Sequence, residues 1–525
     1  MNSHRAAFSH KSLIIPAERP FSCFDFVEKH YKGLPSIHRC LSIARTHDLK
    51  TILIEYIVPE GIIADENSEI QERYPDHKMT GLHRISLWST VFSDPNDASK
   101  MTDENLIGYA ILKRDAVAPK GVDEWHVFEA VLRKYSHHHN YAPHQKTYDL
   151  KIYNKSFSGR GTVYCQQNSL NKACAHVSLR TLLSGLPNVG ELSYRKINEL
   201  ANKDKDPTYD PSKGLTVFQI RNVLEGLNVT FRDIDYVESE VTDANIRKTH
   251  PYQKYVYSGI ESGMGALLGF RLTGPKIPPK DPPKHIIPFF GHTFNKDTWV
   301  PSADRSYFDV GGGVGYIPSE SWTSSFIGHD DNFGSDFCVP RLYVQEDQAD
   351  YVVELLNSGC EYSGIHAESM SLLFLYSLFP HMINTGNEWM DRLSYCANPG
   401  RQEVVLRALY ISKSKYLDVL RTDTDWNSNK EDEKVISILS KGMPEYLWMI
   451  EISIPQLFPA NERKLGEIIL NASVKFDFDK PTDFKLFVLA RLPGSYFLFE
   501  SGDYDKPNFA QVPSRIKSHM PLFQR

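Results

Sequence analysis

The stretch Gln166-Gln167-Asn168-Ser169-Leu170-Asn171-Lys172-Ala173-Cys174-Ala175-His176-Val177-Ser178-Leu179-Arg180 changes character at its cysteine. Up to Ala173 it is polar and turn-prone; from Cys174 onward it is helix-forming. A cysteine in the first turn of a helix feels the partial positive charge of unpaired backbone N–H groups, which favours thiolate over thiol. Far downstream, His285 opens the apolar run His285-Ile286-Ile287-Pro288-Phe289-Phe290-Gly291, a strand able to deliver an imidazole from its first residue. Thiol and imidazole together suggest acyl transfer through a cysteine nucleophile.

Such chemistry needs a thiolate, an imidazole that later protonates the leaving amine, a group that orients the imidazole, and a donor for the developing oxyanion. For the donor, Gln167 or its neighbour Gln166 stands just upstream of the nucleophile. For the orienter, the chain turns after His285 at Phe294-Asn295-Lys296-Asp297 and returns through Thr298 to Asp304. A returning strand brings its far end beside the first strand's start, so Asp304 is better placed than Asp297. His292 is the rival base. Seven residues from His285 on one strand, it faces the opposite side, so only one of the two meets the thiol. Pro288 forfeits a ladder hydrogen bond and implies an edge or bulged strand.

These residues resemble papain-like cysteine peptidases, especially the bacterial peptidase domains that cut double-glycine leaders. The shared order is glutamine, cysteine at a helix start, a distant histidine, then aspartate or asparagine; a glycine also stands six residues after the histidine, here Gly291. The resemblance covers residues 150–345. It implies Cys174 as nucleophile, His285 as base and acid, Asp304 as orienter and Gln167 as oxyanion donor, in a papain-like fold with a helical half and an antiparallel half. The family glutamine usually stands six residues before the cysteine, a place Asn168 takes here, and Cys174-Ala175 replaces the family's Cys-Gly. The implied function is a thiol-dependent hydrolase, a peptidase acting on protein or peptide. An acyltransferase of transglutaminase type would use the same triad, and a catalytically silent binding or sensor protein could keep the same fold.

A chain of 525 residues is too long for a single core. The expected class is α+β: an N-terminal α/β domain over 1–150, a papain-like core over 151–345, a helical connector over 346–395 and a C-terminal mixed α+β domain over 396–525. In the core, helices over 192–200 and 216–224 precede strands over 229–236 and 266–272, the helices-then-strands order of that class. The segment Ala349 to Leu356 reads as helical. Net charge of −6 recruits neither nucleic acid nor an anionic membrane surface. Seven scattered cysteines and no signal-peptide core point to the cytoplasm.

No cofactor or metal is expected. In His137-His138-His139 with His144, adjacent side chains diverge and nothing completes a ligand set. Gly311-Gly312-Gly313-Val314-Gly315 lacks the Lys-Ser/Thr ending of a phosphate loop. The run Asp423 to Asn429 lacks a calcium loop's central glycine and has Lys434 where the closing glutamate belongs. His176, two residues past Cys174 and roughly 200° around the helix, points away from the thiol. The glycine- and aromatic-rich run Phe326 to Phe337 suits a loop lining a substrate, with His329 and Asp330 as a third acid/base option.

Overall fold

A computed structural model describes residues 12–523 apart from 136, 138–139, 171–173, 187, 211–213, 274–281, 309–312, 383–385, 423–435, 439, 476–483, 500–508 and 515–517. The calcium-like run at 423–429 and the centre of the glycine run at 311–312 fall outside the described residues, as do His138 and His139. No helix among the described residues is long and apolar enough to cross a membrane.

Three sheets organise the chain, and alternation along their strands dictates what each face covers. The first has the spatial order Ser12–Pro16, Thr51–Tyr56, His77–Trp88, Leu106–Val117, Val122–Leu132, Lys155–Tyr164, Lys146–Ile152. Ile52 and Ile54 pack with Val27, Ile37 and Leu41 from the helices Cys23–Tyr31 and Pro35–Thr46. Leu53, between them, faces the other way, into the core that holds Leu179 and Leu182. Those two leucines lie on the helix Cys174–Leu183 and are wholly buried, a transfer worth about 2 kcal/mol each.

The middle sheet has the order Gly334–Pro340, Ser325–Asp330, Lys284–Thr293, Ala266–Arg271, Ala349–Leu355, Phe231–Asp235. Leu267 joins the core around the cysteine helix, whereas Leu268 and Phe270 pack with Val256 and Ile260 of the helix Tyr252–Glu261. The cysteine helix is therefore a filling between the first and middle sheets. The third sheet, of eight strands from Asp304–Arg305 to Phe509–Pro513, packs the helix Gly364–Met382 through Phe374 and Leu375 on Leu406, Trp448 and Ile450.

The molecule is α+β with antiparallel sheets, as expected for the class. The N-terminal part departs from the α/β expectation: every strand pair of the first sheet is antiparallel. The one parallel pair among the described residues lies in the third sheet, where Ile317 meets Val405. Residues 346–395 are not a purely helical connector, because Ala349–Leu355 is an interior strand of the middle sheet. Apolar or buried at nearly every position, that segment carries no period to separate strand from helix. The sheets also cross the expected boundaries. Lys155–Tyr164 belongs to the first sheet, and Gly315–Pro318 leaves the middle segment to join the third.

Candidate active site

Cys174 is the first residue of its helix and half-buried. His285 is the second residue of the strand Lys284–Thr293, and its ring stands edge-on to Phe270 at 5.7 Å. The chain brings these two groups together: the imidazole hydrogen-bonds the Asp330 carboxylate, and the Cys174 side chain lies near enough to bear on its protonation. Asp330 Oδ2 lies 3.0 Å from His285 Nε2. Burial opposes charge on the imidazole, but the hydrogen bonds to Asp330 and Cys174 and the charges of Asp331 and Asp330 outweigh it. The result is a pKa raised to about 10, an imidazolium at neutral pH.

Asp330 is itself fixed. Its Oδ1 accepts the backbone N–H groups of Asn332 at 2.8 Å and Phe333 at 3.1 Å, an Asx turn that aims Oδ2 at the ring. Burial would raise this carboxyl, yet the hydrogen bond and charge of His285, helped by the two amides, hold it below its usual value. Asp331 is a second carboxylate, 3.8 Å from Nε2, whose burial pushes it up to about 6. Tyr351 packs against the same core as Cys174, and burial, then the Cys174 group, raises its phenol. Its ring lies flat on Gly269, where a Cβ would stand 2.3 Å from the ring.

The glutamine turn resolves into three roles. Gln166 is spent on structure, its Oε1 accepting from Val127 N and Ser36 Oγ. Asn168, six residues before Cys174, donates to buried Glu66 and caps Leu170 N. Gln167 is the one whose amide faces the site, donating to Asn332 Oδ1 at 3.3 Å.

Asp304 is not beside His285. It sits in the third sheet's edge strand, where it accepts from Tyr307 and faces Lys254 at 3.5 Å. Asp297 is exposed, with its amide bonded to Asn295. The strand that does return beside the histidine strand is Ser325–Asp330, and its last residue is the carboxylate that meets His285. The hairpin expected to return over 298–304 does not form: Asp304–Arg305 and Gly315–Pro318 join the third sheet before the chain comes back. His292 is 1% exposed and locked on Glu261 at 2.8 Å, on the face covered by Tyr252–Glu261. A register shift between Phe289 and Gly291 makes the strand bulged rather than an edge. His176 is buried on Asn198 at 2.7 Å, and His329 accepts from Asp336 N, its ring against Phe290.

Two groups of metal-type donors occur among the described residues. Glu66, Asp115 and His126 form one, with the Lys113 ammonium already bridging Glu66 at 2.9 Å and Asp115 at 3.2 Å. His285, Asp330 and Asp331 form the other, engaged as just described. No family model, curated protein or solved structure matches the chain.

Proposed function

We propose that the chain is a papain-like cysteine hydrolase, a peptidase in which Cys174 attacks a peptide carbonyl. The observation that supports this reading best is an imidazole held between a helix-start cysteine and a carboxylate that is itself locked by two backbone amides. In the reaction the thiolate forms a C–S bond and the carbonyl electrons move to oxygen. The Cys174 backbone N–H and the Gln167 amide are the donors for that oxyanion. Collapse breaks the C–N bond as His285 gives its proton to the leaving amine, producing a thioester. The neutral imidazole then takes a proton from water, whose attack releases the acid and regenerates the thiolate and imidazolium pair. Asp330 holds the ring in place and favours its charged form throughout.

Replacing Cys174 with Ala tests the reading. Iodoacetamide labelling at position 174 and peptide hydrolysis are both expected to vanish, with the far-UV spectrum and melting temperature little changed. Wild-type protein whose Cys174 reacts no faster than free cysteine at pH 6 would overturn it. Carrying out the assay with an added amine separates hydrolysis from amine transfer, since only the latter incorporates the amine.

A further inference from the structure

We infer that Phe333 forms an apolar subsite for the leaving-group half of the substrate, so that the residue just after the scissile bond is large and apolar. This rests on the hydrolase reading above. Phe333 is 65% exposed, and isolated exposed rings are ordinary on protein surfaces. Its place is what sets it apart. Its backbone N–H is one of the two that lock Asp330 Oδ1, so the carboxylate that orients His285 also fixes the position of this residue. Its neighbour Asn332 receives the Gln167 amide, the oxyanion candidate.

The ring continues into a supported apolar ledge. Phe337 stands edge-on to Phe333 at 6.2 Å, and the Arg39 guanidinium lies over Phe337 at 5.4 Å. Arg39 in turn donates to the carbonyls of Ser335 at 2.9 Å and Asp336 at 2.6 Å, bracing the hairpin on the helix Pro35–Thr46. That same helix fixes the glutamine turn through Ser36. The ledge thus shares its supports with the site: the Asp330 turn on one side and the helix Pro35–Thr46 on the other. The choice of substrate half follows from the chemistry: the imidazolium must reach the departing nitrogen, so the half of the substrate carrying that nitrogen lies on the histidine side, where the Asp330 turn is.

The test is digestion of a peptide library of random sequence by the full chain, with the new N-termini read by mass spectrometry. Wild type is expected to enrich Phe, Leu, Met and Tyr at the new N-terminus at least tenfold over Asp, Lys and Gly. Phe333→Ala should reduce that enrichment to below about threefold, and Phe333→Leu should restore most of it, while iodoacetamide labelling of Cys174 stays the same in all three. Enrichment absent in wild type, or unchanged in Phe333→Ala, overturns the subsite while labelling preserves the hydrolase reading. Absence of Cys174 labelling in wild type overturns both.

Discussion

The strand Lys284–Thr293 carries an imidazole near each end, and each meets a carboxylate at about hydrogen-bond distance, yet the two ends do different things. His292 and Glu261 are each 1% exposed, and Glu261 also takes the Arg407 guanidinium at 3.2 Å, so every charge has an inward partner. His285 is partly exposed, and Cys174 is among the groups that act on its ring. The first pair is sealed in the core, whereas the second is partly open to solvent and has a cysteine nearby.

Swapping the two imidazoles for alanine breaks the comparison most severely. His285→Ala should lower kcat/KM by about 10³-fold, in line with the loss of a general acid and base, with only a small change in melting temperature. His292→Ala should do the reverse, costing about 2 to 4 kcal/mol of stability by leaving Glu261 short of a buried partner, with kcat/KM within a few-fold of wild type measured well below the melting transition. Equal activity losses in both variants would show that the two ends are not distinct.

A smaller effect is expected for Asp330→Asn, about 10- to 100-fold in kcat/KM, and its pH signature is the sharper readout. The imidazole sits above its ordinary 6.5, near 10, so the stability it gains from its partners is full below about 6.5 and is lost as pH rises through about 10. Without the carboxylate the alkaline limb of the rate profile should move to lower pH. An alkaline limb that stays put would remove Asp330 from its orienting role. Asp304→Asn should have the least effect, under twofold on kcat/KM, since its contacts are Lys254 and Tyr307 on another sheet.

How far the sequence led depends on whether a feature is local. The switch from turn to helix at Cys174 is local, and so is the apolar strand opened by His285; both were legible, and so was the bulge implied by Pro288. The orienter was not. Its rule, that a returning strand ends beside the first one's start, was sound, but which strand returns is decided by a long-range pairing. The excursion over 294–324 sends Gly315–Pro318 to Val405 and Leu406, contacts that no short window of sequence contains. Asp330 had a local sign all the same: a strand-like Phe326-Ile327-Gly328-His329 ending in Asp-Asp-Asn-Phe-Gly, a hairpin turn. The strand Ala349–Leu355 was missed for a related reason, because a segment covered on both faces loses the alternation that would mark it.

The placement of the cysteine helix between two sheets has a consequence for how the chain is made. Gln167 and Cys174 follow directly from the first sheet, whereas His285 and Asp330 belong to the second, which leaves the ribosome later. A nascent chain that has reached Cys174 therefore does not yet contain His285 or Asp330. The cluster of thiol, imidazole and carboxylate is complete only once the second layer has closed over the helix.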